Sequence, residues 1–219
     1  MIKFLQEGVN MTNPFDKISK ANIVKLLKLL EAHTMVFTKD MTISKTIIDK
    51  KSIGIVTKGY IQILRNNDDG NDTLIDELFE NDIIASSISY TEANEYEMIA
   101  KEETHVILFD EDTLMNIEDT SKTYYNQFIK NLFLILNEKN KLKNERLQII
   151  TKKSIRDKLL EYFYINRKKT GSNNIYLPYN YTALADYLGV NRSALMRELK
   201  NLKDEGFIES KSRKIKLLY

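Results

Sequence analysis

The chain has 219 residues, enough for two modest domains with separate cores. Its formal net charge is only +2, but residues 1–120 hold 12 Lys and Arg against 22 Asp and Glu, whereas residues 121–219 hold 21 against 9. Cysteine is absent, which excludes disulfides, thiolate zinc sites and iron–sulfur clusters ligated by cysteine. An acidic half joined to a basic half is the asymmetry expected when one domain binds a polyanion.

Several classes of protein are disfavoured by what the sequence lacks. No apolar run approaches the roughly 20 residues needed to span a bilayer. The first ten residues lack a basic region followed by an apolar core, so no export signal is predicted. There is no glycine-rich phosphate loop, nucleophile motif or metal-ligand spacing, so we assign no catalytic or metal-binding residue and do not expect an enzyme. We expect a cytoplasmic protein that contacts no membrane.

The N-terminal half begins as a helix and continues as strands. Residues 14–32 carry apolar side chains at helical spacing, which predicts a helix that starts at the proline. From Met35 to Phe109, short β-branched runs alternate with polar turns such as Lys58-Gly59 and the hairpin sequence 66–70. Many short strands at close intervals predict a sandwich or a barrel.

A long helix is predicted from Ser121 to Thr151, where apolar residues recur at intervals of seven. Such a repeat is typical of a coiled-coil seam. We therefore expect a dimer interface formed by Phe128, Leu132, Ile135, Leu142 and Ile149. The intermediate positions Lys139 and Arg146 are polar, which weakens the second half of the seam. A helix that packs on its own domain is the alternative interpretation, and so few heptads leave it open.

Residues 181–200 have the pattern of a helix-turn-helix. A first helix has an apolar stripe and ends at Gly189, because a residue without a Cβ readily takes the left-handed conformation. Asn191 is placed to cap the second helix, whose inward-facing residues are Leu195, Leu199 and Leu202. In such a motif the second helix enters the major groove with its N-terminal residues against base edges. The predicted ligand is therefore double-stranded DNA.

The flanking elements complete a winged helix. Ser154 to Arg167 form an amphipathic helix, and residues 175–177 form a short strand. After the helix-turn-helix, Gly206 ends the second helix, and two short apolar runs flank the basic segment 210–214. Two strands around a basic tip predict a wing.

Two stretches of the N-terminal half, Ile55-Val-Thr-Lys-Gly-Tyr-Ile61 and Leu78-Phe-Glu-Asn-Asp-Ile-Ile84, have a pattern known from a regulator family. Together with residues 154–218, they make the chain resemble the Crp/Fnr superfamily of bacterial transcription regulators. The resemblance implies an α+β fold with an N-terminal antiparallel β-roll or jelly roll, a long dimerisation helix and a C-terminal winged helix-turn-helix. The corresponding domains are residues 1–118, 119–151 and 152–219.

The effector pocket implied by this resemblance departs from the family pattern. Members that bind cyclic nucleotides carry a Gly-Glu pair and a downstream Arg for the phosphate, whereas residues 84–98 contain no Arg or Lys and three carboxylates, Glu92, Glu95 and Glu97. A phosphate monoanion needs a positive partner or clustered backbone donors, so the sequence argues against cyclic nucleotide. Haem stays open because His33 and His105 are available as axial ligands. The favoured interpretation makes His105 a strand residue and His33 a loop or helix-end residue.

The resemblance also implies which residues contact the bases of DNA and which contact its phosphates. Base contacts fall on Arg192, Ser193 and Arg197, and the planar guanidinium of arginine suits the O6 and N7 of guanine. Phosphate contacts, which set affinity and register rather than sequence, are expected from Tyr181, Thr182, Asn191, Lys200, Lys211, Ser212, Arg213 and Lys214.

We therefore expect a homodimeric, sequence-specific regulator of transcription that binds an inverted-repeat operator, with RNA polymerase as a further partner and an unidentified small-molecule effector. Its sensor domain is expected to be a degenerate one that does not bind cyclic nucleotide. The alternative is a constitutive architectural or partner-binding protein in which the β-roll is only a scaffold or a protein-contact surface. The two hypotheses differ in whether any small molecule changes the affinity for DNA.

Overall fold

The computed structural model of the chain describes residues 12–44, 51–66, 72–85, 96–117, 121–177 and 180–219. The described residues form two compact units that divide after Glu138, inside a long helix. Each unit is described by itself below. The three-part division at residues 118 and 151 stays a prediction.

The first helix, α1 (Lys20–Leu29), begins six residues later than predicted from the proline. Residues 14–17 form a turn instead, and Lys17 has a positive φ of 59°, which interrupts any helix. The side chain of Ser19 then accepts a hydrogen bond from the backbone N–H of Asn22 and caps the helix. The helix buries Leu26.

Within the described ranges, the predicted antiparallel roll contains the strands β1 (His33–Phe37), β2 (Ser52–Lys58), β3 (Ile61–Asn66), β4 (Asp72–Leu78), β5 (Ile83–Ala85), β6 (Tyr96–Ala100) and β7 (Thr104–Asp110). They make a four-stranded sheet in the order β1-β7-β2-β5 and a three-stranded sheet in the order β4-β3-β6. The alternation of side chains along β2 explains the layers, since Val56 packs in the core shared by both sheets, whereas Ile53 and Ile55 face the helices.

The turn at Lys58-Gly59 is confirmed, and it requires glycine. Gly59 has a φ of +83°, and a Cβ atom there would lie 2.5 Å from the carbonyl oxygen of Glu103 and 2.6 Å from Oγ1 of Thr104. The pairing of β3 with β4, with Asn66 opposite Asp72, is that of a hairpin, whereas the predicted turn residues 67–70 lie outside the described residues.

The unit is closed by α2 (Glu111–Met115) and by the first part of α3 (Thr123–Ile150), which confirms the predicted long helix. Phe128 of α3 stacks on Phe15, with ring centroids 5.8 Å apart, and meets Phe109 edge-on. Buried Asn131 donates hydrogen bonds to the carbonyls of Pro14 and Asp16 and so holds the N-terminal turn on the helix.

The second unit comprises the end of α3 and a three-helix, three-stranded winged domain, with the bounds α4 (Ile155–Thr170), β8 (Asn174–Tyr176), α5 (Tyr181–Leu188), α6 (Arg192–Asp204), β9 (Ile208–Lys211) and β10 (Lys214–Leu217). Its strands pair antiparallel in the order β8-β10-β9. The core includes Leu184, Leu188, Leu195, Leu199 and Leu202, as the sequence predicts. The α+β fold class, with the roll, the long helix and the winged helix-turn-helix, is confirmed.

A helix that crosses a bilayer needs about 20 predominantly apolar residues. Within the described ranges, no helix combines that length with that composition.

Candidate nucleic-acid interface

The two helices of the helix-turn-helix are joined by a turn that local residues fix. Gly189 ends α5 with a φ of 60°, in the left-handed region, as the sequence predicts. The side-chain oxygen of Asn191 accepts a hydrogen bond from the backbone N–H of Ser193 at 2.8 Å and caps α6. Asn180 caps α5 in the same way through Ala183. The N-terminal end of α6, which is the end predicted to contact base edges, is therefore held by a side-chain hydrogen bond.

The outer face of α6 is polar and exposed, opposite its buried leucines. Arg192, Ser193, Arg197 and Lys200 are all exposed, and their spacing places them on this face. Met196 lies among them and is 39% exposed. The sequence reasoning missed Met196, although its position four residues after Arg192 and four before Lys200 signals that it shares their face. A thioether among arginines offers an apolar surface for a thymine methyl group.

Glu198 of α6 and Glu205, which caps its C-terminal end, are both contacted by Arg156 of α4. Arg156 donates from Nη1 and Nη2 to Glu205 at 3.0 and 2.5 Å, and Nη1 lies 3.5 Å from Glu198. The hydrogen bond from Arg156 holds the pKa of the Glu205 carboxyl below its usual value. Among the described residues, neither Arg192 nor Arg197 has a hydrogen-bond or ion-pair partner. Among the described residues, Arg197 thus makes no intrahelical ion pair with its neighbour Glu198.

The wing stands beside the start of α5. Strands β9 and β10 are joined by Ser212 and Arg213, and Ser212 has a positive φ of 54°. Tyr181 donates its phenolic hydroxyl to the carbonyl of Ser212 at 2.6 Å, and burial raises the pKa of that phenol. This bond brings two predicted phosphate-contact residues together. Lys211 and Arg213 are exposed, and Lys214 is exposed with its ammonium 5.5 Å from the centroid of the Tyr176 ring.

Two further predicted contact residues lie at helix starts. Thr182 is exposed in the first turn of α5, where backbone N–H groups are available to an anion. Asn191 already uses its side-chain oxygen as a cap, which leaves its amide N–H₂ group as the donor.

The predicted dimer-interface residues of α3 lie mostly inside the chain's own cores. Phe128, Leu132 and Ile135 are buried in the core that α3 shares with the β-roll. Ile149 is buried in the winged-domain core, and Leu142 is half-buried. A buried side chain has almost no surface left for a second copy. The apolar residues that α3 exposes are instead Ile129, Phe133, Leu134, Leu147 and Ile150.

The predicted effector pocket is only partly described. Residues 86–95, including Glu92 and Glu95, lie outside the described residues. Glu97 accepts a hydrogen bond from the hydroxyl of Thr42 at 2.7 Å. His105 lies within β7 with Nε2 3.1 Å from Glu103, and His33 is the exposed first residue of β1. Across the parts of the chain that the structure describes, no three His, Asp or Glu side chains cluster as metal ligands.

Comparisons with known proteins agree with this geometry. Residues 157–219 match the family model of the Crp-like helix-turn-helix domain. The chain superposes on the structure of CprK complexed with OCPA with a TM-score of 0.64 at 19% identity, over 89% of this chain and 91% of that one. It superposes on a mutant of CooA from Carboxydothermus hydrogenoformans with a TM-score of 0.58 at 18% identity, over 92% and 93%. A search of curated proteins gave no match. Residues 157–219 therefore form a Crp-like helix-turn-helix domain, and the chain as a whole has the fold seen in CprK and CooA.

Proposed function

We propose that this chain, with its Crp-like C-terminal domain, is a homodimeric regulator of transcription that recognises an inverted-repeat operator and responds to a small effector. One observation carries the DNA part of the proposal. The outer face of α6 presents Arg192 and Arg197 without partners among the described residues, while the nearby carboxylates of Glu198 and Glu205 are bound by Arg156. Two unpaired guanidinium groups on a capped helix start suit guanine edges in the major groove.

The contacts divide into two kinds. We assign base reading to Arg192, Ser193 and Arg197, and we add Met196 for a thymine methyl group. We assign phosphate binding to the residues at the start of α5, to Asn191 and Lys200, and to the wing residues, which are Lys211, Ser212, Arg213 and Lys214. The bond between Tyr181 and Ser212 supports this division, because it fixes the wing tip relative to the start of α5.

The dimer is proposed to form through the exposed face of α3. Phe133 is 63% exposed and Leu147 is 54% exposed, which is unusual for large apolar side chains on a helix. A two-fold axis places two recognition helices about 34 Å apart, so that both read one face of the DNA. The exposed apolar face supplies the surface that such an axis requires.

Phe133→Glu tests this interface, because it places a charge on the exposed face without entering a core. We expect a folded monomer by sedimentation that no longer binds operator DNA specifically. Gln148→Glu is the matched control, since Gln148 is exposed next to Leu147 but is rotated about 100° from it around the helix axis, and it should stay dimeric. Ile135→Glu is expected to unfold the N-terminal unit instead, because Ile135 is fully buried there. A dimeric Phe133→Glu protein contradicts the proposed interface.

We propose that the N-terminal unit binds the effector. The support is that CprK, which has the same fold at 19% identity, is found in complex with OCPA. The acidic segment 84–98, which lacks Arg and Lys, argues against an anionic cyclic nucleotide here. RNA polymerase is proposed as the further partner of the DNA-bound dimer.

Selection of bound DNA fragments from the source genome tests the whole proposal. We expect the enriched fragments to share an inverted repeat whose half-sites are one helical turn apart. Arg197→Ala should abolish the enrichment, while the wild-type affinity should change when the effector is added. Enrichment without any shared sequence contradicts specific recognition. If no metabolite pool from the source cell alters the affinity for DNA, the result favours the alternative, a constitutive DNA-binding protein.

A further inference from the structure

The three-stranded sheet of the winged unit, β8-β10-β9, has one face in the core and one face toward solvent. Ile175, Ile215 and Ile208, one from each strand, are buried in the core of the unit. Successive side chains of a strand point to opposite faces, so the alternate positions form the outer face of the sheet. The outer face consists of exposed residues, which are Asn174, Tyr176, Glu209, Lys211, Lys214 and Lys216.

Strand pairing places three of these side chains in one row across the sheet. Lys214 of β10 lies opposite Tyr176 of β8 and opposite Lys211 of β9, and side chains at paired positions lie next to each other on the same face. Residues 212 and 213 of the wing tip join Lys211 to Lys214, so this row lies at the tip end of the sheet. The row of Tyr176, Lys214 and Lys211 is called the tip row below.

The charges of the outer face leave the tip row positive. Glu209 carries the only carboxylate among the residues of β8, β9 and β10, and it accepts a hydrogen bond from Nζ of Lys216 at 3.3 Å, outside the tip row. The ammonium of Lys214 lies 5.5 Å from the centroid of the Tyr176 ring. This attraction between a cation and a ring leaves the ammonium hydrogens available as donors.

We propose that the tip row binds the phosphate backbone of DNA and that Tyr176 contributes to this contact in two ways. Its hydroxyl donates a hydrogen bond to a phosphate oxygen, and its ring holds the ammonium of Lys214 in place for a neighbouring phosphate. This inference rests on the proposed DNA binding. It goes beyond that proposal because it extends the backbone contacts to β8, a strand that holds none of the predicted contact residues.

Two observations favour a phosphate backbone as the occupant of the tip row. Two ammonium groups and a phenol suit phosphate oxygens, which accept hydrogen bonds from lysine and from tyrosine alike. The tip row is also continuous with the surface already proposed to bind phosphate, since Tyr181 holds the carbonyl of Ser212 at 2.6 Å beside the start of α5. An acidic surface of a protein partner is the competing occupant.

Tyr176→Phe in the full chain tests the hydroxyl contact. Tyr176 is 69% exposed, so the change opens no cavity and should leave the Tm unchanged. The loss of one hydrogen bond should weaken binding to operator and random DNA alike by about 3- to 10-fold, because phosphates carry no sequence information. A phenol is neutral, so the slope of log affinity against log salt should stay the same, whereas Lys214→Ala should lower the slope by about 0.9.

Tyr176→Leu combined with Lys214→Ala tests the role of the ring. With Lys214 present, Tyr176→Leu should weaken binding by about 2- to 5-fold more than Tyr176→Phe. In the Lys214→Ala chain the Leu and Phe variants should bind DNA equally, because the ring then has no ammonium to hold. The same difference between Leu and Phe in both backgrounds overturns the role of the ring.

Tyr164 supplies the matched control. It is 55% exposed in the same unit but belongs to α4 rather than to the sheet, so Tyr164→Phe and Tyr164→Leu should bind DNA as the wild type does. Equal losses from the Tyr164 and Tyr176 variants overturn the proposal, because a general effect of removing an exposed tyrosine then explains both.

The remaining outcomes separate this inference from the proposed function. A wild-type chain that binds no DNA contradicts both. If the wild type binds operator DNA and both Tyr176 variants bind equally tightly at every salt concentration, only the inference is overturned. In that case, weaker transcription by the variants with purified polymerase assigns the outer face to a protein partner. A changed ratio of operator affinity to random-DNA affinity also overturns it, because a phosphate contact leaves that ratio constant.

Discussion

Arg197→Ala should separate base reading from general attraction to DNA. Arg197 is exposed and has no partner among the described residues, so its truncation opens no cavity and leaves the fold intact. A bidentate contact to guanine contributes about 1–3 kcal/mol of discrimination. The affinity for the operator should therefore fall about 5- to 150-fold, while binding to random DNA falls much less.

The wing provides the contrasting case. Lys211 and Arg213 are exposed on either side of the hairpin tip, and each is expected to meet one phosphate. Each lost phosphate contact lowers the slope of log affinity against log salt by about 0.9, which amounts to about 3.5-fold between about 50 and about 200 mM salt. The double alanine variant should thus lose about 1.8 in slope and weaken on operator and random DNA alike.

The measurement is a salt titration of each variant on both DNAs by fluorescence anisotropy. Lys203→Ala is the matched control, because it removes one positive charge from α6 three turns beyond Arg192 and should change little. If Arg197→Ala lowers both affinities equally, its base-reading role is refuted and α6 lies differently in the groove. A change in specificity in the wing variant refutes the phosphate assignment.

Three further predictions concern stability and the effector. Gly59→Ala should lower the Tm of the N-terminal unit clearly more than Gly206→Ala lowers that of the winged unit, because both have positive φ but only Gly59 has neighbours within 4 Å of a new Cβ. Burial raises the pKa of Tyr187 to about 12, whereas the phenol in the unfolded chain ionises near pH 10. The contribution of the neutral phenol to stability is therefore present below about pH 10 and is lost as pH rises toward 12. Tyr187→Phe should move alkaline unfolding, followed by circular dichroism, to higher pH. Calorimetry should show no binding of cyclic AMP or cyclic GMP to the N-terminal unit, and micromolar binding of either contradicts the interpretation of segment 84–98.

The helix-turn-helix could be predicted almost completely because its determinants are local. Gly189 ends one helix and Asn191 caps the next within three residues, and both roles are found in the structure. The late start of α1 was missed because Ser19, a better cap than the proline region, stands inside a continuous apolar pattern.

The face of α3 could not be chosen from the sequence. A buried pair, Phe128 and Ile135, and a less buried pair, Ile129 and Leu136, are offset by one residue, and both have a spacing of seven. A seven-residue period indicates that a helix has an apolar face, but it does not indicate which face is buried. Packing against the β-roll determines that. The same limit applies to Glu198, whose partner Arg156 lies 42 residues away on another helix.

Helix α4 organises the winged unit more than its sequence suggests. Lys158 donates a hydrogen bond to the carbonyl of Leu188 at 3.1 Å and so satisfies the end of α5 just before the turn. Arg156 holds the end of α6 through Glu205 and lies over the ring of Phe207 at 5.0 Å. Two of the cations of α4 thus bind acceptors at the C-terminal ends of both helices of the motif. The arginines that remain on the outer face of α6 have no such acceptor among the described residues, which leaves their charge available to DNA.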